Sequence, residues 1–123
     1  MTNVATDLAV TLRADRPGAL VAALEAIARA GINIDGYAEI EGILHLLTRD
    51  APAAQRALRA VGARVRGERQ VVIVAAVDRP GAAAEIFRRI ANAGTGVDFS
   101  YLASNNRIVV GVDDPSKIAE ILK

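Results

Sequence analysis

Asp15-Arg16-Pro17-Gly18-Ala19 recurs as Asp78-Arg79-Pro80-Gly81-Ala82, 63 residues further along the chain. The same offset of 63 pairs Ile27-Ala28 with Ile90-Ala91, Ala30-Gly31 with Ala93-Gly94, and Asp35 with Asp98. It still holds at Asp50-Ala51-Pro52 against Asp113-Asp114-Pro115, with no insertion or deletion between. The chain therefore reads as two copies of one supersecondary unit.

Each copy has the same order of signals. Leu8 to Ala14 and Val71 to Val77 are short apolar runs with strand character. Asp-Arg-Pro-Gly then makes a turn, with Pro17 and Pro80 suited to a first helical turn. Leu20, Ala23, Leu24, Ile27 and Ala30 recur at helical spacing, as do Ala83, Ile86, Phe87, Ile90 and Ala93. Glu25 with Arg29 and Glu85 with Arg89 are favourable pairs on the outer faces. Gly31 and Gly94 fall where a glycine ends a helix.

A strand follows (32–40; 95–103), then a polar turn and a return strand (43–48; 107–112). Asp50 and Asp113 precede a shorter second helix, with Leu58 and Val61, or Ile118, Ile121 and Leu122, turned inward. Strand, helix, strand, strand, helix is a split βαβ pattern. It predicts an α+β fold of two ferredoxin-like βαββα(β) units, with antiparallel sheets and helices on one face. The units are expected at 1–70 and 71–123. Copy one continues through Arg64 to Gln70 as a fourth strand, whereas copy two stops at Lys123 and lacks one. Strand 71–77 is then expected to have an unpaired side. Thr2-Asn3 and Thr6-Asp7 make a poor strand to cover it. Pairing with a second chain answers the problem, so a homodimer with residues 64–77 at or near the interface is expected.

Composition removes most chemistry. There are no cysteines, which excludes disulfides, thiolate nucleophiles and Cys-ligated metals. The single His45 builds neither a histidine metal site nor a triad with a spare base. Fifteen Lys and Arg against 14 Asp and Glu provide no strong field for nucleic acid. Aromatic residues are 3%, too few for base-stacking platforms. No apolar run approaches the roughly 20 residues of a membrane helix, and no leader is visible at the start, so a cytoplasmic location is expected. No side chains pair a nucleophile with an oriented base, so neither an enzyme nor a cofactor is expected.

The Asp-Arg-Pro-Gly turns after a strand, followed by Gly31-Ile32-Asn33-Ile34 and Gly94-Thr95-Gly96-Val97 after the helix, carry a family resemblance. Over residues 8–123 the sequence resembles stand-alone tandem ACT-domain proteins. The resemblance implies a regulatory module that binds a small ligand, usually an amino acid, where two units meet, and that alters a partner such as a metabolic enzyme. It implies ligand-binding roles for Asp15, Arg16, Pro17, Gly18, Ala19 and Asn33, and for Asp78, Arg79, Pro80, Gly81 and Gly96. Gly96 departs from the asparagine that the family often has there.

The residues themselves allow this and a plainer reading. The positive end of a helix dipole and free backbone N–H groups at a Pro-Gly turn favour an anion. Asp15 or Asp78 can accept from an ammonium group, or only cap its helix. Asn33 can bridge to a ligand or only suit a helix exit. Asp35 and Asp98 read as solvated edge charges, Arg64, Arg66 and Arg69 as a solvated strand edge, and Tyr37 and Tyr101 as packing residues. Two functions remain open: an amino-acid-binding regulatory module acting through association, or a structural or interaction subunit that binds no ligand.

Overall fold

The computed structural model describes residues 2–13 and 16–123, so Ala14, Asp15 and the expectation placed on Asp15 lie outside the described residues. The chain runs β1 (Thr2–Thr11), α1 (Ala19–Arg29), β2 (Gly36–Ile40), β3 (Ile43–Leu47), α2 (Ala51–Ala60) and β4 (Arg64–Ala75). It continues with α3 (Ala82–Asn92), β5 (Phe99–Ala103), β6 (Arg107–Gly111) and α4 (Pro115–Ile121). This is the expected α+β fold, with antiparallel strand pairs and the strand–helix–strand–strand–helix order occurring twice. The chain divides into two compact units, Thr6–Arg69 and Met1–Ala5 with Gln70–Lys123.

In the unit of residues 6–69, β3 pairs with β1 (Leu8 opposite Leu46, Val10 opposite Leu44) and with β2. Alternation puts Leu8, Val10, Leu44 and Leu46 on one face. There they are buried with Ala23 and Ile27 of α1 and with Ala54 and Leu58 of α2. In the other unit β6 pairs with β4 and β5. Val72, Val74, Ile108 and Val110 share a core with Ile90 of α3 and Ile118 of α4. Two inward assignments change: Val61 is the C-cap of α2 and 46% exposed, and Ala82 rather than Ala83 is the buried alanine at the start of α3.

The helices end as their glycines dictate. Gly31 has φ 75°, and its N–H reaches the Ala28 carbonyl while Ile32 N–H reaches Ile27. That paired closure satisfies two otherwise orphaned carbonyls of α1. Gly94 closes α3 in the same way. On the outer faces, Arg29 meets Glu25 at 2.8 Å as expected. The Glu85–Arg89 pair does not form: Glu85 turns to Arg79, and Arg89 donates to the carbonyls of Ile121 and Leu122.

The repeat contains an insertion that the sequence offset conceals. Ile40 pairs with Ile43, leaving the two-residue turn Glu41-Gly42, with both residues at positive φ (50° and 83°) as a tight hairpin requires. Ala103 pairs with Arg107, leaving the three residues Ser104, Asn105 and Asn106. Beyond that turn the equivalent positions lie 64 apart. The N-caps are accordingly Asp50, whose carboxylate accepts from Ala53 N–H, and Asp114, which accepts from Lys117 N–H. Asp113 is an exposed neighbour and caps nothing. Asp50→Ala and Asp114→Ala are each expected to lower stability by about 1 kcal/mol. Asp113→Ala, compared by urea unfolding, is expected to stay within about 0.5 kcal/mol of the parent.

The bare edge expected at 71–77 is not found. Val71, Val72, Ile73 and Val74 are all at most 5% exposed in the single chain. Residues 2–5 are strand after all, and they belong with Gln70–Lys123. Thr2 Oγ1 lies 3.4 Å from the Leu122 carbonyl at the end of α4. The sheet faces turned away from the helices are not bare: Asp7 and Leu47 in one unit, and Val71, Ile73, Val109 and Tyr101 in the other, are buried.

Candidate functional site

The two Pro-Gly turns have nearly the same backbone. In each, a glycine is the helix N-cap in the left-handed region, Gly18 at φ 85° and Gly81 at φ 89°. A side chain there carries a steric penalty, which explains glycine at both positions. The turns close through Ala19 N–H to the Arg16 carbonyl and Ala82 N–H to the Arg79 carbonyl, both at 3.3 Å. Among the described residues neither helix has a side-chain cap. Asp78 therefore does not cap α3. Among the described residues the first-turn N–H groups of α1 and α3 have no side-chain acceptor, which leaves positive dipole ends facing the turns.

A cavity of about 270 Å³ opens on the first turn. Arg16, Pro17, Gly18 and Ala19 form one wall, Leu12, Leu20 and Val21 are apolar contacts, and Glu39 and Gly42 of the β2–β3 hairpin face them. Glu39 is held there because one of its carboxylate oxygens accepts from Gly42 N–H at 2.8 Å. A guanidinium, uncapped helix N–H groups and a carboxylate thus border one small space. Four of the expected binding residues of copy one are brought together by it. Glu39 was not among the expected residues. Its only sequence signal is a charge two positions before a tight turn.

The second turn lines a smaller cavity of about 170 Å³, with Asp78 and Arg79 on one side and Leu102, Asn106 and Ile108 on another. Arg79 is occupied there: its Nη2 donates to Glu85 at 2.9 Å and its Nη1 lies 3.4 Å from the Pro80 carbonyl. The position equivalent to Glu85 in copy one is Ala22, so Arg16 has no such partner. The equivalent of Glu39 is Leu102, 73% exposed and unable to receive a cation. The copies share a turn and its arginine, and differ in where a carboxylate faces that turn, at position 39 in copy one and at position 85 in copy two.

Asn33 does not face the turn. Its amide donates to Asp35 at 2.9 Å, and Asp35, 11% exposed, lies 3.7 Å from Arg49. Asp35 is therefore a shielded carboxylate within a small polar cluster rather than a solvated edge charge. Gly96 has open space where a Cβ would stand and a backbone that does not demand glycine. The difference from asparagine there is one of chemistry, not of room.

Three other expectations resolve as follows. His45 Nδ1 is 2.9 Å from Asp7 Oδ2, and Asp7 is 1% exposed, so the histidine is half of a buried polar pair. Tyr101 is buried and stacked with Phe99, ring centroids 6.2 Å apart, whereas Tyr37 is 53% exposed. Phe99 also covers Gly111 across the hairpin, where a Cβ would come within 2.5 Å of the ring. Arg64 and Arg66 line cavities near the first turn, and Arg69 does not.

No protein-family model matches the sequence, and no curated protein matches it. Solved structures do. Protein BT0572 from Bacteroides thetaiotaomicron superposes with a TM-score of 0.84 at 26% identity, over 98% of this chain and 88% of that one. The regulatory subunit of aspartate kinase from Thermus thermophilus gives 0.70 at 22%, over 98% of this chain and 91% of that chain. A C-terminal regulatory domain of aspartate kinase from Porphyromonas gingivalis gives 0.64 at 20%, over 99% and 94%. The fold is shared with these regulatory parts of aspartate kinase. The alignments cover nearly the whole of both partners, so the likeness concerns the complete arrangement of elements rather than one shared motif. Among the described residues no helix is long and apolar enough to cross a membrane.

Proposed function

We propose that this chain is a stand-alone, non-catalytic regulatory module with two ACT units, 6–69 and 70–123, the second completed by the first residues of the chain. In this reading it binds one amino acid at its first Arg-Pro-Gly turn and transmits occupancy to another chain in the cytoplasm. The observation that carries the reading is the 270 Å³ cavity where uncapped α1 N–H groups, Arg16 and Glu39 converge. A zwitterion matches that arrangement group for group. Its carboxylate accepts from the N–H groups at the helix start and from Arg16. Its ammonium donates to Glu39, and its side chain lies along Leu12, Leu20 and Val21. The cavity is too small for a nucleotide, and its apolar wall favours a ligand with a short hydrocarbon side chain.

The similarity to regulatory parts of aspartate kinase supports a partner enzyme as the recipient of the signal. A homodimer is a second route, but not through strand 71–77, whose burial removes the reason for pairing there. The reading without a ligand is supported by copy two, where Arg79 is already neutralised.

Thermal denaturation with each of the twenty amino acids at millimolar concentration separates the two. Ligand binding to the folded state adds RT ln(1 + [L]/Kd), about 2.7 kcal/mol at one hundred times Kd. At least one amino acid is expected to raise the transition, and Glu39→Gln is expected to reduce its affinity about tenfold or more through loss of a charge-assisted contact. No shift with any amino acid supports the structural subunit instead.

A further inference from the structure

A second cavity, about 560 Å³, shares Arg16 to Ala19 with the first but has different walls. Leu12, Ala23, Val61 and Ala63 give it an apolar lining, and Arg13, Arg16 and Arg64 stand around it. Thr11 and Arg64 continue into an adjoining cavity of about 480 Å³ that also has Arg66. Arg64 and Arg66, two residues apart on β4, project to the same side of the strand.

Among the described residues no carboxylate lines either cavity. With the described residues, none of Arg13, Arg16, Arg64 and Arg66 forms an ion pair or a side-chain hydrogen bond there. Elsewhere the chain does neutralise arginines, Arg29 with Glu25 and Arg79 with Glu85. Three arginines around one cavity, with a fourth at the cavity adjoining it, repel one another and focus a positive field into the concave space. A ligand with several negative groups relieves that repulsion. Guanidinium forks match phosphate oxygens two at a time, which an ammonium group or a backbone dipole does not do.

We infer that this arginine-ringed cavity is a binding site for a small polyanionic metabolite, a compact molecule bearing two or more phosphate groups. The site stands apart from the amino-acid reading, because Arg13, Arg64 and Arg66 do not line the smaller cavity. The absence of aromatic residues from both linings means that a base-stacking platform is not provided, so the phosphates and a small carbon body carry recognition. Arg16 and the turn border both cavities, so occupation of one bears on the other through that shared wall.

Calorimetric titration of the full chain with inorganic tripolyphosphate tests the inference. One site per chain is expected, with affinity falling as salt rises because the contacts are partly solvated. The Arg64→Gln/Arg66→Gln double variant is expected to bind at least about tenfold more weakly. Arg88→Gln, an exposed arginine on α3 remote in sequence from the cluster, is expected to change affinity by less than about twofold. All these side chains are exposed, so the variants are expected to fold, and circular dichroism of each verifies it. Absence of binding overturns the inference. So does an Arg88→Gln loss as large as that of the double variant, which would mark diffuse charge attraction. Amino-acid binding measured on the same double variant is expected to survive, which keeps the two sites distinguishable.

Discussion

Leu58→Ala is expected to lower the unfolding free energy by about 3–5 kcal/mol. Leu58 is 0% exposed on α2 and belongs to the cluster that joins both helices of its unit to β1 and β3. Truncation removes three buried carbons and leaves a space that its neighbours are poorly placed to fill. Ala23, Ala51 and Ala54 are already small, and Leu8, Leu44 and Leu46 are fixed on paired strands. Leu102→Ala is the matching control, since Leu102 is 73% exposed and its truncation is expected to cost less than about 0.5 kcal/mol. Urea unfolding of both variants decides it, and equal effects would contradict the described core.

The second large effect concerns the only charged side chain that is buried among the described residues. Asp7, 1% exposed, meets His45 Nδ1 at 2.9 Å, with the histidine side chain 21% exposed. His45→Leu keeps the apolar bulk while removing the imidazole from a buried carboxylate, and a loss of about 2–4 kcal/mol is expected. Asp7→Asn retains an oxygen acceptor for the ring and is expected to cost less. Thermal unfolding of the two variants gives the order directly. A neutral His45→Leu would show that the pair contributes nothing net.

Much of the fold was legible because its signals are local. Arg16-Pro17-Gly18 and its repeat start helices, Gly31 and Gly94 end them, and the 3.6-residue periodicity between them marks the buried faces. The first residues were not legible for a non-local reason. Thr6-Asp7 looks too polar for a buried strand until His45, 38 residues away, supplies the partner for Asp7. The extra residue in the second hairpin was hidden because Asp113 and Asp114 are consecutive, so an offset of 63 finds an aspartate where the true cap lies at 64.

The candidate site was half visible for the same reason. The turn announces itself in sequence, but what faces it is set by the hairpin that brings Glu39 across, and by position 22 or 85 on the following helix. Asn33, chosen for its chemistry, is engaged by Asp35 two residues on. Arg64 and Arg66 read as an ordinary solvated strand edge until the fold brings Arg13 and Arg16 to the cavity that Arg64 lines, next to the one it shares with Arg66.

The central claim is that one turn of the two is built to take an amino acid. Isothermal titration of the stabilising amino acid into the parent chain, Arg16→Gln and Arg79→Gln tests it most directly. One ligand per chain is expected, with a loss of about tenfold or more for Arg16→Gln, whose side chain lines the cavity. Little change is expected for Arg79→Gln, whose guanidinium is held by Glu85 at 2.9 Å. Two ligands per chain, or equal losses from the two substitutions, would contradict the account.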